Sequence, residues 1–248
     1  MFILFDTDMG RKGTEMLKNE RQECILAILK EKKYCTVSAL ATELYVAPVT
    51  VRRDLAEMES EGLINRCHGG AALKEYENRE VPFELRTREN YMMKAKIGKK
   101  AAKLLRDGDT VFLDASSTAL HVAEHMRAEQ NLTVITNSIK ALEKLKGKQI
   151  QCYLTGGMLL ENSHALVGSL AEETIDSMYA DIFLFSSQGI TEEGDITDYS
   201  EMETSLRKQM IKRSKKSVFL YDHTKVGKRF LFKVCNSQEL YTTITDED

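Results

Sequence analysis

From Thr110 to Thr245, short apolar runs alternate with amphipathic stretches, and this alternation restricts the fold more than any other feature of the chain. Strands are predicted at Thr110–Leu113, Leu132–Thr136, Ile150–Thr155, Ile182–Phe185, Ser217–Tyr221 and Tyr241–Thr245, with helices near 118–128, 138–146, 168–178 and 200–214. Strand–helix–strand units are crossovers, and successive crossovers build a largely parallel sheet covered by helices. The fold class is therefore α/β. In such a sheet, ligands bind beyond the carboxyl ends of the strands. Three polar or glycine-rich loops are predicted there: Asp114-Ala115-Ser116-Ser117-Thr118, Thr136-Asn137-Ser138 and Gly156-Gly157. Ser116, Ser117 and Thr118 open a helix whose free N–H groups and dipole favour an anion. The same hydroxyls also suit a plain helix cap.

Residues 20–73 follow a different pattern, three helices and a hairpin. The first helix is predicted from about Glu20 to Lys32, with Ile25, Ile28 and Leu29 at helical spacing. The second follows Ser38, read as its N-cap, and buries Leu40, Ala41 and Leu44. Tyr45-Val46-Ala47 is a tight break, and Pro48 opens the third helix, where a first-turn proline loses nothing. Val51, Leu55 and Met58 make one buried stripe, and Gly62 caps the end. Leu63–Arg66, the turn Cys67-His68-Gly69-Gly70 and Ala71–Leu73 read as a β-wing. Two helices across a short turn make a helix-turn-helix, whose second helix enters the major groove of DNA. Arg53 lies roughly 200° around the helix from Val51, and Val49 roughly 160°, so both face outward. Arg53 is read as the base reader, because a guanidinium bridges guanine O6 and N7. Arg52 and Thr50 suit phosphates, Pro48 and Val49 stand at the leading turn, and Arg66 and His68 are backbone candidates in the wing.

Val46-x-Pro48-x-Thr50-Val51-Arg52-Arg53-Asp54-Leu55, then Glu59, Gly62, Leu63, Arg66 and His68-Gly69-Gly70-Ala71, closely resembles the DeoR family of bacterial transcription regulators. Ala47 stands where the family usually has a serine cap. The resemblance runs on from about Val81 to the C-terminus. Family sensor domains carry an Asp-x-Gly-Thr-Thr-like loop, a Thr-Asn-Ser turn, a Gly-Gly turn and a late Asp-x-x-Lys segment. These match Asp114–Thr118, Thr136–Ser138, Gly156-Gly157 and Asp222-His223-Thr224-Lys225, with Ser116 in place of the usual glycine. Glu203 and Arg207 match a further segment, in which Arg207 faces either ligand or solvent. The resemblance implies a winged helix-turn-helix domain followed by a ribose-5-phosphate-isomerase-like sensor domain. It also implies a repressor of sugar metabolism that a phosphorylated sugar releases from operator DNA. The expected effector residues are Asp114, Ser116, Ser117, Thr118, Asn137, Gly156, Gly157, Arg207, Asp222 and Lys225. Phosphate is expected on Ser116, Ser117 and Thr118 with Lys225 as counter-charge, and sugar hydroxyls on Asp114 and Asn137.

Composition sets limits on partners. Net charge is −3, and residues 1–80 hold 12 Lys and Arg against 14 Asp and Glu, so DNA binding must come from a few placed side chains. The five cysteines are scattered without a C-x-x-C pair, which fits free thiols in a reducing cytoplasm. Met1–Phe5 is too short for a signal-peptide core, and no apolar run approaches a membrane span. No P-loop is present, no cofactor is expected, and His121 with His125 lacks an accompanying acidic motif for a metal. The expected organisation is a lead-in at 1–16, a DNA-binding domain at 17–73, a linker at 74–91 and a sensor domain at 92–248. One head covers only a half-site, so at least a homodimer is expected. The competing reading is a sugar-phosphate isomerase. Its acid-rich loop has Asp181 as the nearest counterpart, with no second acid close behind.

Overall fold

The computed structural model describes residues 16–32, 34–67, 69–73 and 83–247, which fall into two compact units, 1–74 and 75–248. In the first unit, α1 (Lys18–Lys32), α2 (Val37–Glu43) and α3 (Pro48–Ser60) surround a core of Ile25, Leu29, Leu40, Val51, Leu55 and Met58. Strands β1 (Tyr34–Thr36), β2 (Ile64–Cys67) and β3 (Gly70–Leu73) form an antiparallel sheet in the order β1-β3-β2. The unit is a winged helix-turn-helix.

Two local details differ from expectation. β1 was not foreseen, being three residues long, and its pairing of Thr36 with Gly70 fixes where α2 starts. The N-cap is consequently Thr36 rather than Ser38: Thr36 is extended, and its hydroxyl accepts from the Ala39 N–H at 3.1 Å. Beneath α3, Asp54 is fully buried and takes both Nε (2.5 Å) and Nη2 (3.0 Å) of Arg21, tying α1 to α3. α3 ends in a Schellman motif. Gly62 N–H reaches Glu59 O (2.9 Å), Leu63 N–H reaches Met58 O (2.9 Å), and Gly62 has φ +71°, where glycine carries no Cβ penalty.

The second unit begins earlier than expected. Phe83–Arg88 is a helix, α4, not linker, because Phe83 and Leu85 are buried and the Phe83 N–H binds Asn162 O at 2.7 Å. A single turn of charged residues hides two apolar anchors, so composition alone reads it as linker. Residues 74–82 lie outside the described residues, as do 1–15. Next come α5 (Tyr91–Ala102), β4 (Thr110–Leu113), α6 (Ser117–His125), β5 (Thr133–Thr136), α7 (Ile139–Leu145) and β6 (Gln151–Leu154). A hairpin of β7 (Met158–Leu160) and β8 (Ala165–Val167) leads to α8 (Ser169–Asp176) and β9 (Ala180–Phe185). The chain ends with β10 (Gly189–Ile190), β11 (Asp195–Asp198), α9 (Glu201–Lys212), β12 (Ser214–Tyr221), β13 (Phe232–Asn236) and β14 (Thr242–Thr245).

Six strands form one parallel sheet in the order β14-β12-β9-β4-β5-β6. The expected α/β class and parallel sheet are thus present. Alternate strand residues fill cores on opposite faces, as both faces of a parallel sheet must be covered. Val111, Leu113, Leu184 and Leu220 pack with α5, α6 and α7 on one side; Phe112, Phe183, Phe185 and Phe219 pack with α8 and α9 on the other. The small antiparallel sheet β10-β11-β13, unforeseen in the sequence, adds Ile190, Ile196 and Val234 to the second core. From β4 the order runs outward to β5 and β6 on one side and to β9, β12 and β14 on the other, so the topology switches between β4 and β9.

Ala47 is the N-cap of α3, is extended (φ −66°, ψ 143°), and provides no side-chain bond to the free N–H groups. Ala47→Ser should stabilise the first unit by about 1 kcal/mol. Urea unfolding of the full chain, followed through the transition of this unit, should show a later midpoint. An unchanged midpoint would mean that the helix start gains nothing from a cap.

Candidate functional site

The exposed face of α3 carries Pro48, Val49, Arg52 and Arg53, with Thr50 half-buried beside them. Val49 is 68% exposed although apolar, while Val51, Leu55 and Met58 are fully buried, so the helix faces are as the spacing predicted. Arg66 differs. Its guanidinium lies 3.7 Å from Glu59, and the same carboxylate accepts the Arg66 N–H at 3.1 Å. The expected backbone-contacting charge is therefore partly neutralised by Glu59, which sequence separation hid. His68 lies outside the described residues.

In the second unit, the carboxyl ends of β4, β9 and β12 open onto a cleft with about 530 Å³ of empty space. This is the switch point of the sheet, where ligand sites form in such folds. Ser116 and Ser117 enter from β4, Ser186, Ser187 and Gln188 from β9, and Asp222, Thr224 and Lys225 from β12. Arg86, Glu89, Asn90 and Lys94 of α4, α5 and the turn between them close one wall, and Arg207 and Lys228 complete the lining.

Arg207 is buried and binds three carboxylates: Asp114 through Nε (2.9 Å), Asp198 through Nη1 (2.9 Å) and Glu203 through Nη2 (3.3 Å). Burial opposes its charge, but Asp198, Glu203 and Asp114 outweigh that and hold its pKa above the ordinary value. Arg207 is therefore held within the wall by three carboxylates rather than solvated, and its charge is neutralised from behind. Asp114 is equally committed, since it also accepts the Ser116 N–H (3.0 Å), the Ser116 hydroxyl (2.6 Å) and the Ser186 N–H (3.4 Å). It cannot serve as the free sugar-hydroxyl acceptor expected of it.

The three hydroxyls separate. Ser116 caps α6, accepting the Ala119 N–H at 3.1 Å while donating to Asp114, so the cap reading holds for it. Thr118 is fully buried, does not line the cleft, and its Oγ1 has no partner among the described residues. Ser117, in the first turn of α6, lines the cleft. Asn137 donates to Leu166 O (3.2 Å) and leaves the cleft wall to others, because this bond holds it against the β8 strand. Gly156 and Gly157 are also absent from the wall. Gly157, at φ +110°, instead lets the loop after β6 approach Val167 O, which a Cβ would meet at 2.4 Å.

Asp222 and Lys225 are where the sequence placed them. Asp222 accepts from Asn90 Nδ2 (3.2 Å) and the Thr224 hydroxyl and N–H, leaving its buried Oδ2 without a partner among the described residues. Lys225 Nζ donates to Ser186 Oγ and Ser187 O, both at 2.7 Å. Burial, against the attraction of Asp222 and reinforced by Arg86, lowers its pKa to about 8. Lys94, buried with its ammonium on Arg86 O, is lowered to about 7 by burial and by Lys225. Sequence reading missed Lys94, Arg86, Ser186, Ser187 and Asp198. The run Ser186-Ser187-Gln188 after the strand Ile182–Phe185 carried the same strand-end signal as Ser116–Thr118. Lys94 and Arg86 carried none, because they reach the cleft only through the return of α4 and α5. Asp181, the acid weighed for isomerase chemistry, sits at the opposite end of β9, on the Thr110 N–H (3.0 Å) and Lys215 (2.7 Å).

A winged helix-turn-helix and a separate α/β unit with a polar cleft define a ligand-responsive DNA-binding regulator. Comparison with known families gives the particular one. The DeoR-like helix-turn-helix domain matches residues 21–77, and the DeoR C terminal sensor domain matches residues 89–247. The chain belongs to the DeoR family of transcriptional regulators, which are not enzymes. It is 37% identical to the HTH-type transcriptional regulator GolR of Listeria innocua, over 93% of this chain and 91% of that one. It is 36% identical to the HTH-type transcriptional repressor GlcR of Bacillus subtilis, over 93% and 89%. Among solved structures, ribose 5-phosphate isomerase A of Methanocaldococcus jannaschii is 18% identical, covering 56% of this chain and 55% of that one, with a TM-score of 0.42.

Arg207→Met should destabilise the second unit by about 3–5 kcal/mol, because three buried carboxylates lose their shared counter-charge. Thermal unfolding of the full chain should show this unit's transition falling while the helix-turn-helix transition stays in place. Unfolding at the wild-type temperature would show that the carboxylates are neutralised by other means.

Proposed function

We propose that the chain is a repressor whose hold on operator DNA is released by a phosphorylated sugar seated in the cleft. The observation that carries this reading is the charge balance of the wall. Arg207 is neutralised from behind; the other ionisable residues are Arg86, Lys94, Lys225 and Lys228 against Glu89 and Asp222. The cleft therefore carries a cationic excess that suits a phosphate dianion. We place the phosphate against Ser117, Lys94 and Lys225, at the N-terminal end of α6, where free N–H groups also favour an anion. The unpaired Oδ2 of Asp222 accepts a sugar hydroxyl. The GlcR relative, named as a repressor, supports the same direction of control. On DNA, Arg53 reads guanine, Arg52 and Thr50 hold phosphates, and Val49 meets a thymine methyl. Two copies of the chain supply the two half-sites that specificity requires.

Two results are expected. In titrations of a duplex selected from a random pool by the wild-type protein, Arg53→Ala should cost about 1–3 kcal/mol and relax preference at one base pair. Arg52→Ala should weaken all sequence variants alike, and equal losses for both arginines would contradict these roles. In calorimetry, phosphorylated sugars should bind and their unphosphorylated forms should not, with Lys225→Met weakening binding at least about tenfold. The lysines are charged below, and neutral above, pKa values of about 7 for Lys94 and about 8 for Lys225. Affinity should accordingly fall as pH rises through that window, with proton uptake on binding. Affinity independent of pH would place the phosphate elsewhere.

A further inference from the structure

Helices α2 and α3 end in the same way but with different residues. At the end of α2, the Tyr45 N–H reaches Thr42 O (3.3 Å) and the Val46 N–H reaches Ala41 O (3.0 Å). This is the motif that Gly62 and Leu63 form at the end of α3. The residue at its centre must adopt a left-handed backbone, which glycine accepts freely and residues with a Cβ resist. Gly62 obeys this rule at φ +71°; Tyr45 breaks it at φ +55°.

Among the described residues, nothing compensates the tyrosine. Its side chain is 94% exposed, and among the described residues it makes no hydrogen bond or ring contact. A bulky ring thus stands in water at a position that favours glycine. Such an outlier points to a contact made outside the chain. The position identifies the partner. Tyr45 lies in the turn of the helix-turn-helix, three residues before Pro48 opens α3, on whose outer face Val49, Arg52 and Arg53 are exposed. When a recognition helix enters the major groove, the helix before it crosses the DNA backbone, and the turn joins the two.

We propose that Tyr45 is a DNA-backbone contact, its phenol O–H donating to a phosphate oxygen next to the bases read by Arg53. Tyrosine hydroxyls are among the groups that position proteins on phosphates. A neutral donor also suits this region, since residues 1–80 carry 12 basic against 14 acidic side chains and offer little net attraction. The proposal rests on the DNA-reading role of α3 and adds a contact from outside that helix.

The test uses the full chain and the duplex selected from a random pool by the wild-type protein. Tyr45→Gly should bind about five- to tenfold more weakly, the effect of one well-placed hydrogen bond. Its first unit should nevertheless melt at the same or a higher temperature, because glycine relieves the left-handed backbone. Tyr45→Phe should show most of the same loss of affinity. The dependence of affinity on salt should keep its wild-type slope in both variants, since a phenol displaces no counterion, whereas Arg52→Ala should flatten the slope by about 1. Wild-type affinity in Tyr45→Gly would overturn the proposal. A lowered melting temperature would do so too, by showing that the ring packs within the fold. Full affinity in Tyr45→Phe would overturn the phosphate bond. Loss of affinity in neither Tyr45→Gly nor Arg53→Ala would fault the reading face itself.

Discussion

The second unit depends on one buried guanidinium. Arg207 gathers Asp114 from the end of β4, Asp198 from the end of β11 and Glu203 from its own helix. Three carboxylates around one cation leave a formal excess of negative charge, which backbone and hydroxyl donors absorb. Asp198, for example, also accepts from Ser187 Oγ (2.9 Å) and the Ser200 N–H (3.1 Å). The cluster therefore fixes the β4 loop, the β9 loop and α9 relative to one another. A buried ion cluster of this kind adds little net stability over an apolar one, but losing one member is costly. What it secures is position: Ser117 is presented to the cleft because Ser116 and Asp114 are held behind it.

On the other side of the cleft, burial outweighs the attraction of Asp222 and lowers the pKa of both Lys94 and Lys225. Lys94 and Lys225 are buried near each other, and each depresses the charge of the other or suffers from Arg86. In the proposed function, a phosphate dianion would favour the charged forms of both lysines. The two halves of the cleft thus do different work. One side is an internally neutralised wall, and the other carries the cations to which the proposed function assigns the phosphate. Arg86 and Lys94 also belong to the first helices after residues 74–82, the segment that leads from the DNA-binding unit. A ligand that moves them acts on the part of the sensor nearest in sequence to the reading head.

Much of this is legible in the sequence. The period of 3.6 in α3 set the faces of Val51, Leu55 and Arg53, and strand–helix alternation located all six parallel strands within a few residues. Elements of two or three residues escape, such as β1 and β10, because so short a run cannot establish an alternation. The lining of the cleft is legible where a strand ends in polar residues, as at Ser117, Asp222 and Lys225. Elsewhere that legibility fails in two ways. Ser116 and Asp114 were chosen for the right loop but are consumed by local bonding, which sequence does not reveal. Lys94 and Arg86 lie far along the chain from the strands they face, and no local motif marks them.

Release of operator DNA by a ligand requires that the cleft and the reading head be thermodynamically linked, so the ligand must favour the DNA-free conformation. The most direct measurement is reciprocal. The affinity of the full chain for its selected duplex is determined with and without a saturating phosphorylated sugar, and the affinity for that sugar with and without the duplex. Linkage requires the two factors to be equal, typically about 5–150-fold. Equal weakening in both directions is the predicted result. A phosphorylated sugar that binds the cleft and leaves duplex affinity unchanged would contradict the account.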